Sequence, residues 1–310
     1  MKNINELIGT KYPLIQGGMA NIADHRFAAT VSEAGGLGVI AAGANDAETV
    51  RKEIRLCRKL TTRPFGVNIM LLSPHSEDIA RVIMEEKVPV VTTGAGSPAQ
   101  FIPGWKVAGV IVIPVIASCA HAIRMERAGA DAIIAEGQEA GGHIGELTTM
   151  ALVPQVVDRV NIPVIAAGGI ADHRGVLAVF ALGAKGVQVG TVLLASEECP
   201  VHVNYKEMVL KARDIDTMVT GRKTGAPVRV LKNLMAKKYN AMCEQDISLE
   251  ELEKLTLGSL RRAVINGDLE TGSFMAGQIA GLVNELRPVK TIIESLFLPL
   301  ETYKEQLEIL

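Results

Sequence analysis

A glycine-rich loop that ends in a histidine, Glu136-Gly-Gln-Glu-Ala-Gly-Gly-His143-Ile-Gly145, holds the densest potential chemistry in the sequence. Four glycines in the nine residues after Glu136 make it mobile or tightly turned. His143 can donate a proton, accept one, or polarise a substrate carbonyl; the plainer alternative is a turn histidine facing water. His25, His75, His121, His173 and His202 have no comparable setting. Two apolar runs also end in glycines, Pro163-Val-Ile-Ala-Ala-Gly168-Gly169-Ile170 and Gly186-Val-Gln188-Val-Gly190-Thr191. There, main-chain N–H groups can approach phosphate oxygens with no Cβ in the way, and Thr191 adds a hydroxyl donor. Either pair alone serves equally well as a turn. Both pairs on successive strands point to a phosphate-bearing cofactor.

Gln16, Asn68 and Gln188 are neutral amides at the ends of apolar runs, a donor and acceptor mix suited to the edge of a flavin ring. Taken singly, each is also a turn residue that satisfies nearby backbone. Met19 either packs on a ring face or fills core.

Short β-branched runs bounded by Gly or Pro alternate with helical periodicity, the pattern of repeated βα units. Eight strands are predicted: Pro13–Gly18, Leu37–Ala42, Pro64–Met70, Val88–Thr93, Gly109–Ala117, Asp131–Glu136, Pro163–Ala167 and Gly186–Gly190. Their even spacing favours a closed (β/α)8 barrel, whose C-terminal mouth would collect the residues named above. Between them, helices are predicted over Asp24–Ala34, Asp46–Leu60, Ser76–Glu86, Ser118–Ala128, Met150–Val160 and Asp172–Leu182, several opening on an Asp or Ser cap. After about residue 197 the alternation stops. The tail predicts a helix over Tyr205–Arg213, a loop or short hairpin over Met218–Leu231, and helices over Ser248–Ile265, Ser273–Glu285 and Pro288–Glu308.

The 310 residues are 48% hydrophobic and carry a net charge of -2, which speaks against disorder and against a general nucleic-acid binder. No apolar stretch reaches bilayer length, and the amino terminus lacks a signal-peptide core, so a cytoplasmic protein without membrane contact is expected. The four cysteines are widely spaced, and no cluster suggests a metal. Nucleophile-elbow, P-loop and dinucleotide fingerprints are missing. The segment from Lys211 to Lys238 is strongly basic, either a solvated face or a docking surface for an acidic partner. A non-redox barrel that binds a sugar phosphate or nucleotide monophosphate through the same glycines is a further reading.

As an ordered set, the motifs resemble the FMN-dependent enoyl-acyl carrier protein reductase II family, close kin of the nitronate monooxygenases. The matching stretches are Gln16-Gly-Gly-Met-Ala20, Ala34-Gly-Gly-Leu-Gly38, Pro64-Phe-Gly-Val-Asn-Ile69, Thr93-Gly-Ala-Gly96, Glu139-Ala-Gly-Gly-His143, Ala166-Ala-Gly-Gly-Ile170, Gln188-Val-Gly-Thr191 and Gly272-Ser-Phe-Met-Ala-Gly-Gln278. The resemblance implies a (β/α)8 TIM barrel over residues 1–197. Residues 198–310 would add the last barrel helix, the basic segment and a small C-terminal helical subdomain closing the site. FMN would lie at the barrel mouth, with Gly18, Met19, Asn68, Glu136, Gly141 and Gly142 along the flavin and ribityl chain. Gly168, Gly169, Gln188, Gly190 and Thr191 would hold its lower end and phosphate, Met275 and Gln278 would close it, and His143 would stand beside the substrate.

The implied activity is reduction of the 2,3-double bond of enoyl-acyl carrier protein thioesters with NADH or NADPH, by a homodimer with acyl carrier protein as partner. Oxidation of alkyl nitronates by oxygen on FMN, with His143 as base, is the alternative. Glu146-Leu-Thr-Thr-Met150, Asn204-Tyr-Lys206 and Gly272–Gln278 resemble the reductase branch more than the oxygenases. Asn21, where an aromatic is common, and Ala226, where a histidine is common, depart from the pattern.

Overall fold

A computed structural model describes residues 4–43, 45–245 and 247–306. The strands are β1 Leu14–Gln16, β2 Gly38–Ala41, β3 Phe65–Met70, β4 Val90–Gly94, β5 Ile111–Ile116 and β6 Ile133–Glu136, then, past a two-residue β7 at Gly142–His143, β8 Val164–Ala167 and β9 Gly186–Val189. All but β7 pair in parallel in the order β1-β9-β8-β6-β5-β4-β3-β2, and each falls within a predicted run or one residue beyond it. Consecutive residues face opposite sides: Val39, Val90 and Ile134 fill the barrel interior, while Ile40 and Val91 pack outward against Ile54, Ile79 and Trp105 of the helical layer. Burial on both faces explains why the runs are apolar throughout rather than alternating.

The barrel closes between β1 and β2 on little backbone. Leu37 N–H donates to the Leu14 carbonyl at 2.8 Å and Gln16 N–H to the Leu37 carbonyl at 2.9 Å. Beyond that the fully buried Gln16 side chain continues the seam, its Nε2 donating to the Val39 carbonyl at 3.2 Å and its Oε1 facing Val39 N–H at 3.5 Å. Gln16 thus satisfies backbone, the plainer of its two sequence readings.

Asp24, Asp46, Ser118 and Asp172 cap their helices as their positions predict, accepting from the N–H of Phe27, Thr49, His121 and Arg174. Asn21 sits at φ 60, a left-handed conformation that asparagine adopts more readily than an aromatic residue.

The tail differs more. A hairpin does form, β10 Thr217–Thr220 with β11 Val228–Leu231, and β7 adds to it antiparallel, Val228 opposite His143. Helix Leu234–Glu244, capped by Asn233, was not predicted. The predicted Ser248–Ile265 helix keeps its Ser248 cap but stops at Thr256; Gly258 at φ 70 turns the chain before a short helix Ser259–Arg261 and a π-turn Arg262–Asn266. Ser273–Glu285 is extended and then a 3-10 turn, Gln278–Leu282, because its backbone bonds to other segments. The last predicted helix divides around Pro299, which lacks the N–H a continuous helix needs, into Val289–Phe297 and Leu300–Gln306; residues 307 and 308 lie outside the described chain. These two helices lie back on the barrel, with the Tyr12 and Phe297 rings stacked at 5.0 Å and the His173 and Tyr303 rings edge-on at 4.9 Å.

Candidate active site

The mouth collects the strand ends. After β1 the chain passes so close to β3 that a Cβ on Gly18 would lie 2.3 Å from Cγ of Asn68, whose Nδ2 donates to Thr92 Oγ1 at 2.9 Å. Met19 sits against the end of β9, where a Cβ on Gly190 would meet its sulfur at 3.6 Å. Gln188, on β9, is buried. After β8, Gly168 and Gly169 take φ of 89° and 78° in succession, a turn that side-chain-bearing residues resist. A Cβ on Gly168 would lie 2.9 Å from the Gly137 carbonyl, so this turn is wedged beneath the histidine loop. Among the described residues, no acceptor takes the N–H groups of Gly169, Gly190 or Thr191. Unclaimed amides over a surface without side chains are a donor set that fits a phosphate.

The histidine loop is held from below. The Glu139 carboxylate accepts from Thr149 N–H at 2.9 Å and from its hydroxyl at 3.1 Å, and that hydroxyl also contacts the Gly168 carbonyl at 2.9 Å. From the tail, an extended strap covers the loop. Leu231 N–H donates to the Phe274 carbonyl at 2.7 Å, Gly277 N–H to Thr191 Oγ1 at 2.8 Å, and Gln278 N–H to the Glu139 carbonyl at 2.9 Å. Gly141 lies so close that a Cβ there would come within 2.8 Å of the Ala276 and Gly277 backbone, and Gly142 faces the Met275 sulfur. One strap therefore brings Met275 and Gln278 together with Thr191 of the β9 end and with Gly141 and Gly142 of the loop. Glu139, Thr149 and Gly277 carry this assembly although the sequence reading gives none of them a role; each stands inside a motif that carries the resemblance, Glu139–His143, Glu146–Met150 and Gly272–Gln278.

Glu136 ends β6 half-buried, and no hydrogen bond reaches its carboxylate among the described residues. Burial pushes its pKa from 4.5 up to about 7. Between those values the folded protein keeps a proton that the unfolded chain releases, so the cofactor-free protein loses stability as pH rises from about 4.5 to 7. Denaturant midpoints between pH 5 and 8 are expected to show this loss, about 1–2 kcal/mol once partial exposure is allowed for, and Glu136→Gln to remove it. His143 stands on β7, open to solvent, yet the protein around its ring desolvates it enough to lower its pKa and favour the neutral imidazole. Elsewhere, His25 pairs with Glu53 at 2.8 Å and His202 accepts from Asn204 N–H. Among the described residues there is no group of three or more potential metal ligands and no helix long and apolar enough to cross a membrane.

The fold is a (β/α)8 barrel whose mouth brings together glycine amides at two adjacent strand ends, a histidine loop and a strap over both. The chain belongs to the nitronate monooxygenase family, whose profile matches residues 2–85 and 79–298. Its members are flavin enzymes, and the chain is an oxidoreductase. FabK from Thermotoga maritima superposes with a TM-score of 0.96 at 52% identity, covering 99% of this chain and 98% of that one. A "Probable nitronate monooxygenase" of Staphylococcus saprophyticus is 34% identical over 91% of this chain and 93% of its own. From Mycobacterium tuberculosis, (3aS,4S,5R,7aS)-5-hydroxy-7a-methyl-1-oxo-octahydro-1H-indene-4-carboxyl-CoA dehydrogenase is 32% identical over 97% and 96%.

Proposed function

We propose that the protein reduces the 2,3-double bond of enoyl-acyl carrier protein thioesters in fatty-acid synthesis, with NADH or NADPH as reductant and FMN as cofactor. The observation that carries this reading is the 52% identity to FabK, an enoyl-acyl carrier protein reductase II, over nearly the whole of both chains. When bound, FMN supplies transfer of two electrons from the nicotinamide nucleotide to the β-carbon. Gly169, Gly190 and Thr191 would present amides to its phosphate, Gly168 and Gln188 would line its lower end, and Gly18, Met19, Asn68, Glu136, Gly141 and Gly142 would line the rest. Met275 and Gln278 close the mouth. Negative charge gathering on the thioester oxygen would be met by an N–H of the neutral His143 ring or by a nearby backbone N–H, while the α-carbon would take its proton from water. NADH or NADPH oxidation under anaerobic conditions that requires crotonyl thioester tests this. Oxidation of alkyl nitronates by oxygen, with no thioester-dependent nicotinamide oxidation, would instead establish the family's other chemistry.

An acyl carrier protein is acidic, and the basic segment is its proposed docking surface. Much of that segment is already neutralised within the chain: Lys211 pairs with Glu207, Arg213 with Asp216, Arg222 with Glu146 and Lys223 with Glu244. Arg229 is buried, its Nε donating to the Gln138 carbonyl at 2.9 Å. Lys232 bonds the Ile215 carbonyl, and Lys237 and Lys238 stand exposed on helix Leu234–Glu244, with no ion pair among the described residues. Charge reversal at Lys232, Lys237 and Lys238 is expected to raise KM for carrier-bound substrate about tenfold at low salt and leave KM for the CoA thioester unchanged. Equal KM for carrier-bound substrate before and after reversal would remove the docking role.

A further inference from the structure

One of the groups that fixes the strap stands outside both the barrel strands and the histidine loop. Tyr205, on helix Val203–Leu210, is fully buried, and its hydroxyl donates to the Met275 carbonyl at 2.7 Å. Its ring lies 4.9 Å from that of Phe274, inclined at 60°. Burial drives the phenol pKa far upward, so the group remains a donor at any working pH. The helix beneath it is itself anchored. Asn204 Nδ2 donates to the Gly267 carbonyl at 2.9 Å, and Lys206 Nζ bonds the Ser196 carbonyl at 2.7 Å, in the chain that leaves β9. Tyr205 is therefore a rigid post under the middle of the strap. Immediately beyond Met275, the Gly277 and Gln278 amides meet Thr191 and Glu139.

We propose that Tyr205 is a positioning residue for the active site: through the Met275 carbonyl it sets the height of the strap over the barrel mouth. That height decides where the Met275 side chain stands beside Gly142 and whether Gly277 reaches the Thr191 hydroxyl. Only the kinetic part of this inference rests on the enoyl reductase reading. Tyr205→Phe keeps the ring and its packing and deletes the one donor that reaches the Met275 carbonyl among the described residues.

In the protein as purified, the variant is expected to exchange amide hydrogens about tenfold faster in peptides covering residues 274–279, the scale of one buried hydrogen bond. Peptides covering β5 and β6 should exchange at wild-type rates. KM for crotonyl thioester should rise severalfold while kcat changes less than about twofold. Unchanged exchange over 274–279, equal acceleration in β5 and β6, or an unchanged KM in an active enzyme would overturn the proposal. If the wild type does not reduce the thioester at all, the proposed function fails, and the exchange comparison alone still decides the role of Tyr205.

Discussion

Gly168→Ala is expected to abolish cofactor retention and to destabilise the fold. At φ 89 an alanine bears the left-handed penalty of about 1–2 kcal/mol. In addition its Cβ would lie 2.9 Å from the Gly137 carbonyl and 3.0 Å from the Ala140 nitrogen. Both neighbours are backbone, so relief requires the histidine loop to lift off the β8 turn. The combined cost is about 3 kcal/mol or more, enough to lower Tm by several degrees. Gly169→Ala is the control. Its φ of 78 carries a similar conformational cost, but its Cβ would meet only the Glu139 side chain, at 3.6 Å, which is ordinary contact. Fluorescence titration with FMN should show affinity falling about tenfold in Gly169→Ala, the equivalent of 1.4 kcal/mol, and more than about a hundredfold in Gly168→Ala. Equal losses would contradict the steric account.

His143→Ala is expected to lower kcat for thioester reduction by about 10²–10³, the usual cost of removing one donor to a developing oxyanion. The visible flavin spectrum should survive, because β7 is held to β11 by backbone pairing rather than by the imidazole. The lowered pKa of His143 also sets a pH signature. With the neutral ring as hydrogen-bond donor, kcat stays level between about pH 7 and 8. A tenfold fall per pH unit on the alkaline side would show that the imidazolium is the acid instead.

The barrel was legible because each strand is buried on both faces, so its identity is written locally as an apolar run between turn residues. The glycine pairs were legible for a related reason: they stand where such runs end. The Asp and Ser caps likewise depend on residues three positions or fewer apart. What sequence could not show is settled by distant partners. Ser273–Glu285 has helical periodicity, yet Gly277 and Gln278 give their N–H groups to Thr191 and Glu139 rather than to a helical turn. β7 is two residues long and exists only because Arg229 and Val228 lie opposite it. Gln16 has the residue type of a ring-edge donor, and only the closed barrel shows that Val39 claims its amide.

The strap has a bearing on biosynthesis. Thr191 and Gly277 are 86 positions apart. A chain emerging from the ribosome exposes every barrel strand well before the last fastener of the mouth is made. If the strap closes over FMN as proposed, secure loading would belong to the end of synthesis, and a message truncated between those points would encode a cylinder without its fastener.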